Sequence, residues 1–194
     1  SVSGERVGDC AVGTRADADG EGLALASEAL EGRGAAEERA RSLLEQQEIE
    51  PAGACRTVYL DDPGEVDAAR LRFHVGFPIS SDALPQKPLR RAQMGAVLTA
   101  RILHRGDYDE AFQLRCYERI PAALRKAGYE SAGPIIEIYR YPADQTDPAK
   151  WVTEVRYPVK KKGAVEPRQP NGEKPVAGEK KAAGEKTAVK PAAA

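Results

Sequence analysis

The sequence predicts an α+β fold, with two copies of one strand–helix–strand–strand unit forming a pseudo-twofold antiparallel sheet that has helices on one side. Three features lead there. First, Gly133 to Val159 lies over Gly53 to Ile79 without a gap, at an offset of 80 residues (133 − 53). Gly53/Gly133, Tyr59/Tyr139, Asp67/Asp147, Val75/Val155 and Pro78/Pro158 coincide, and Val58/Ile138, Phe77/Tyr157 and Ile79/Val159 are conservative matches. An internal period fixes an architecture before any single element does. Second, each copy ends in a stretch that alternates apolar and polar residues with the period of a strand. Third, 194 residues with 41% hydrophobic and 30% charged side chains suit one globular domain of about 150 residues and a tail.

Val7 to Val12 alternates weakly, diluted by glycines, and is expected to be the first strand. From Leu23 to Glu48 the spacing turns helical through Leu23, Ala26, Leu30, Ala40, Leu43 and Leu44. Gly32 and Gly34 interrupt that run, each at about 1 kcal/mol against alanine, so one broken helix or two helices are expected. Pro51 to Gly53 ends it, and Cys55 to Leu60 has the β-branched and aromatic content of a strand. Asp61-Asp62-Pro63-Gly64 is turn chemistry. Leu71 to Ile79 then alternates with one apolar face, predicting a half-buried strand.

Ser80 to Arg91, with Pro85 and Pro88, is expected to link the half-repeats, which span about 1–80 and 95–159. Val97 to His104 opens the second half as a strand. A helix follows to about Ala127, with Asp107 or Asp109 as its N-cap and Phe112, Cys116, Ile120, Ala123 and Leu124 as its inner stripe. Pro121 should kink or split it near Arg119, and Gly128 should close it. Residues 160–194 contain no aromatic, Leu or Ile, and carry nine Lys/Arg against four Glu, so a disordered basic tail is expected. The remainder, 1–159, is acidic. A basic tail suits contact with nucleic acid or anionic lipid, though a plain solubilising tail is the simpler reading.

Several function classes recede. Cys10, Cys55 and Cys116 are odd in number and far apart, and His74 and His104 are the only histidines. Neither a structural zinc site nor a disulfide framework is expected, and the thiols read as buried. No nucleophile elbow, phosphate loop or basic recognition helix is present, so neither metal, cofactor nor direct nucleic-acid binding by the folded domain is expected. No apolar run approaches the roughly 20 residues of a membrane helix. The chain opens at Ser1 rather than Met, which leaves room for an upstream anchor or leader. A cytoplasmic location is expected, with membrane contact only through such an anchor.

Strand alternation puts Ile135, Glu137, Tyr139 and Tyr141 on one face. Glu137 is thus a carboxylate between an isoleucine and tyrosines, where the first copy has Thr57. Beneath a helix it must be paired or protonated; lining a cleft, it becomes a cation receptor or an acid/base; on an edge strand, it stands in water. Trp151, the only tryptophan, shares a face with Thr153, Val155 and Tyr157 and suits a core as well as a ligand platform. Tyr108 lies at a strand-to-helix turn, where its ring reaches a cleft or packs beneath the helix. The two histidines fall on the polar phase of their strands and are expected to face solvent.

Ile102-Leu103-His104-Arg105-Gly106-Asp107-Tyr108-Asp109-Glu110, Ile136-Glu137-Ile138-Tyr139 and Asp147 to Val159, in this order and spacing, resemble the GyrI-like small-molecule-binding domains. Val58 to Pro63 and Phe77-Pro78-Ile79 extend the likeness into the first half, so that it covers roughly Val7 to Val159. The resemblance implies a ligand cleft between the two halves. The family includes effector-binding domains of transcription activators and multidrug sensors, a gyrase inhibitor, and hydrolases of cyclopropane-bearing toxins. It implies that Glu137 is the cleft carboxylate and that Tyr108, Tyr139 and Trp151 hold a flat or cationic ligand. As a hydrolase, the domain would use Glu137 as base or nucleophile, but Ile136 stands where the hydrolases tend to have a polar residue. A related domain also occurs in a membrane-anchored receptor for selective autophagy of the endoplasmic reticulum, which adds a tethered interaction scaffold as a third reading. The sequence leaves the oligomeric state open.

Overall fold

A computed structural model describes residues 5–15, 22–26, 32–93, 97–142 and 144–163; the expected disordered tail lies outside these from residue 164 onward. In chain order the elements are β1 (Glu5–Val7), β2 (Cys10–Arg15), β3 (Gly22–Ala26), α1 (Arg33–Gln46), β4 (Arg56–Tyr59), β5 (Phe73–Ile79), β6 (Arg90–Gln93) and β7 (Val97–Arg105). Next come α2 (Glu110–Gln113), a π-helical stretch (Leu114–Arg119), α3 (Ile120–Lys126), β8 (Tyr129–Ser131), β9 (Ile136–Tyr139) and β10 (Val152–Lys161). The strands form one ten-stranded sheet of order β1-β2-β7-β10-β9-β4-β5-β3-β6, with β8 paired to β10. All the pairings are antiparallel. The α+β class and the helix-covered sheet therefore stand.

The halves meet at the β4–β9 pair, and β9-β10-β7-β2 on one side repeats β4-β5-β3-β6 on the other. In that central pair Thr57 lies opposite Glu137, its own counterpart in the repeat, so the pseudo-twofold axis passes between these two residues. Residues shared by the copies have matched duties. Asp67 and Asp147 each cap a single 3-10 turn, accepting hydrogen bonds from the amides of Ala69 and Ala149 at 2.9 and 3.1 Å. Gly53 packs against the Pro78 ring and Gly133 against that of Pro158, each where a Cβ would come within 3.0 to 3.3 Å. The amides of Ala52 and Ala132 donate to the Pro78 and Pro158 carbonyls at 2.8 and 2.9 Å. The offset also extends into the helices: α1 buries Ala36, Ala40 and Leu44, and the second helix buries Cys116, Ile120 and Leu124 at the same places.

Four expectations need correction. Val7 to Val12 is not one strand: the chain reverses at Gly8, whose φ of +57° suits a tight turn. β2 then pairs with β7 of the second half, covering what would be an open sheet edge. The strand that opens the first half is β3, where a helix was expected. Leu23 and Leu25 enter one core cluster and Ala24 another, as strand alternation requires. Pairing with β5 and β6 on both sides overrides the helical preference of Leu and Ala. The linker after Ser80 ends in a strand, β6. Finally, β5 is buried on both faces rather than one, because Leu23, Leu25, Val58, Ile136 and Ile138 make a cluster on the side away from the helices. His74 is accordingly buried, with Nε2 3.0 Å from the Arg90 guanidinium.

Where a kink or split was expected near Arg119, the backbone stays helical and changes there from π to α winding, with Pro121 in the first turn of α3. Of the two N-cap candidates, Asp109 serves, accepting from the Phe112 amide at 2.9 Å. Gly128 follows α3 with φ +84°, as a closing glycine should. Among the described residues Cys10, Cys55 and Cys116 are free and buried. β10 runs two residues beyond Val159, and Lys160 pairs with Glu130 at 3.5 Å. Among the described residues, no helix is long and apolar enough to cross a membrane.

Candidate functional site

β9 alternates, so Glu137 and Tyr139 face the helices while Ile136 and Ile138 enter the cluster behind the sheet. Glu137 is 4% exposed at the centre of the sheet. A carboxylate there needs partners. Tyr117 from the π-helical stretch donates to its Oε1, and Tyr139 donates to its Oε2 at 2.7 Å. The Tyr139 oxygen also lies 2.8 Å from Thr57 Oγ1, so both members of the axial pair belong to one network. Tyr59, the repeat counterpart of Tyr139, comes in from the other side and meets the Tyr117 ring edge-on at 6.1 Å.

Burial first, and the Glu137 charge second, raise the pKa values of Tyr59, Tyr117 and Tyr139 well beyond a free tyrosine's. The three therefore stay neutral at any ordinary pH and keep their hydroxyl protons to donate. Tyr108 and Trp151 build the wall above Tyr139. The Tyr108 ring is edge-on to Tyr139 at 6.4 Å and stacks on Trp151 at 5.4 Å, and Tyr141 also stacks on Trp151, at 5.5 Å. The Tyr108 oxygen lies 2.6 Å from Thr153 Oγ1 and 2.8 Å from the Tyr141 oxygen. The Trp151 indole donates to the Gln145 carbonyl at 2.8 Å. Tyr108, Tyr141 and Trp151 are each only half-buried.

One more group completes the arrangement. Arg33, in the first turn of α1, holds its guanidinium 4.2 Å from the centroid of the Tyr139 ring and pairs with Glu37 at 3.0 Å. Burial lowers its pKa, but Tyr139, Tyr141 and Glu37 outweigh that and raise it. A cation thus already rests on the aromatic face beside Glu137.

The structure joins all four residues singled out from the sequence, Glu137, Tyr108, Tyr139 and Trp151, in one connected cluster. Sequence reasoning missed Tyr117, Tyr59 and Arg33. Tyr59 carried a signal, as the repeat counterpart of Tyr139. Tyr141 had been placed on the right face by period two. Arg33 sits between two glycines where the helical spacing was interrupted, and nothing there marked it. His104 is half-buried against Phe112, with ring centroids 4.5 Å apart, rather than turned to solvent. Among the described residues, no group of three His, Cys, Asp or Glu could hold a metal ion.

A family model described as the GyrI-like small molecule binding domain matches residues 33–160. No curated protein matches the chain. Among solved structures, the EcmrR C-terminal domain is similar with a TM-score of 0.60 at 17% identity, over 78% of this chain and 97% of that one. EcmrR in a cryo-EM complex with DNA gives 0.61 at 17% identity, over 78% of this chain and 57% of that one. An uncharacterized conserved protein from Listeria innocua gives 0.52 at 11% identity, over 72% and 88% of the two chains. At these identities the structures share the fold alone.

Proposed function

The chain belongs to the GyrI-like small molecule binding domain family, and from that premise we propose that it binds a flat, cationic or aromatic compound in the cleft above Glu137. The observation that carries the proposal is the Glu137 site itself: a buried carboxylate on the pseudo-twofold axis, held by two tyrosine hydroxyls beside a cluster of half-buried aromatic rings. Tyr139 supplies a ring face, Tyr108 and Trp151 the walls, and Glu137 the negative charge. A cation there exchanges water for a carboxylate and ring faces in surroundings of low dielectric, where both attractions strengthen. The Arg33 guanidinium over Tyr139 supports the ligand class, since that ring already receives a flat cation from the chain itself.

The ligand enters by displacing Arg33, which has Glu37 and solvent to turn to. A thermal-shift screen of wild type and Glu137→Gln against flat cations and small electrophiles tests this reading. A ligand that binds only the folded state raises the midpoint by mass action. The expected result is a shift with flat cations that Glu137→Gln loses, with affinity falling at least tenfold. Equal shifts in both proteins would refute the role of the carboxylate. Product analysis of the electrophile arm separates binding from hydrolysis, and no shift with any compound would favour a scaffold.

A further inference from the structure

The pseudo-twofold axis that places Glu137 also gives the cleft two ends, and they have diverged. Against the Tyr139 ring lie Arg33, Tyr108 and Tyr141. Around Tyr59, its counterpart, a cavity of about 610 Å³ remains, walled by both halves. The two ends differ in sequence: Asp61 lines this cavity where the other copy has Tyr141, and Pro121 where it has Arg41. Two large side chains are thereby replaced by small ones, and what remains is in the size range of small-molecule sites.

We propose that this far end of the cleft is a second binding site, for an organic cation with a flat apolar body. The apolar surface comes from Tyr59, Leu60, Leu124, Tyr129, Ile135 and Val159. The charge comes from Asp61, Asp62, Glu65 and Glu130 in the wall, faced by Arg125 alone among basic wall residues. Asp61 is committed to Arg72 and Glu130 to Lys160. Asp62 and Glu65 have no ion-pair partner among the described residues, and both are exposed on the lip formed by the Asp61–Gly64 turn. The Tyr129 ring already faces a cation, Lys161 Nζ, at 5.9 Å from its centroid. Tyr59 is shared: its ring borders this cavity and touches Tyr117, which donates to Glu137.

The test is calorimetric titration of the full chain with berberine, a flat aromatic cation, for wild type, Glu137→Gln and the double variant Asp62→Asn with Glu65→Gln. Both acidic positions are exposed, and the Asp62→Asn change retains a side-chain oxygen to accept from the Gly64 amide, so the double variant should fold; its thermal midpoint checks this. Two equivalents are expected in wild type. The double variant should weaken one at least tenfold and spare the other, while Glu137→Gln should do the reverse. If the double variant binds as wild type does, the second site is overturned while the Glu137 site stands. If the double variant loses an equivalent and Glu137→Gln loses none, the second site stands and the Glu137 reading falls. No heat at millimolar berberine overturns both.

Discussion

Glu137 sits where a carboxylate is tolerated only with help, and its neighbours show what that help is. Both oxygens accept from tyrosine hydroxyls, and the Arg33 guanidinium lies over the Tyr139 ring. Arg33 therefore acts as an internal competitor for the ring face that a cationic ligand needs. Replacing it with alanine removes the competitor and leaves Glu137, Tyr139 and Trp151 in place. Arg33→Ala should tighten flat-cation binding about tenfold, corresponding to roughly 1.4 kcal/mol. Fluorescence titration would show it; unchanged or weaker binding would mean that Arg33 does not occupy the ligand's place.

At the scale of elements, the side of the sheet away from the helices has its own chemistry. Glu154 and Arg156 of β10 are both buried there, joined at 2.6 Å, and Arg140 adds a second guanidinium to the same carboxylate. Burial raises the Glu154 pKa, but the hydrogen bonds from Arg156 and Arg140 outweigh it and lower the value below an ordinary glutamate's. A group with a depressed folded pKa gives stability that is present above its unfolded value, about 4.3, and lost as pH falls through the folded one. Glu154→Gln should cost about 3 kcal/mol in urea unfolding, because it removes the charged carboxylate that two guanidinium groups share, and the variant should lose less stability than wild type on acidification below pH 4. A change under about 0.5 kcal/mol would place the pair's net contribution near zero.

The same face explains what the sequence left hidden. Strand alternation located β4, β5, β9 and β10, and the offset between copies showed that the two halves repeat. It did not reveal that residues in the polar phase of β5, such as His74, are buried too, since that depends on Leu23 and Leu25 arriving from β3. β3 itself was hidden because its five Leu, Ala and Gly residues fit a helical spacing as well as a strand. What decides between them is pairing with β5 and β6, some 50 to 70 residues away in sequence. Tyr117 was missed for a different reason: the helical stripe through Cys116 and Ile120 puts it off the buried line, and the π-helical stretch alters that line locally.

At the scale of the whole molecule, tyrosines couple the site to stability. Tyr59, Tyr108, Tyr117, Tyr139 and Tyr157 all have pKa values raised chiefly by burial. A raised folded pKa gives stability that is full below the unfolded value, about 10, and is lost as pH climbs above it. Absorbance at 295 nm should therefore show these five ionising only as the circular dichroism of the fold collapses; ionisation of more than two of the seven tyrosines in the native protein would contradict this. The axial pair, Thr57 beside Glu137, bears on how such a domain can arise at all. In a dimer of identical subunits, the residue on the symmetry axis always meets its own copy. Two glutamates there would face each other at about 5 Å, one forced to hold a proton or both pushed apart. Fusing the subunits into one polypeptide frees each position to mutate alone, so a threonine can donate to the Tyr139 oxygen while a single anion at the centre accepts the Tyr139 proton. One carboxylate per domain is a state open to a fused chain and closed to a symmetric ancestor.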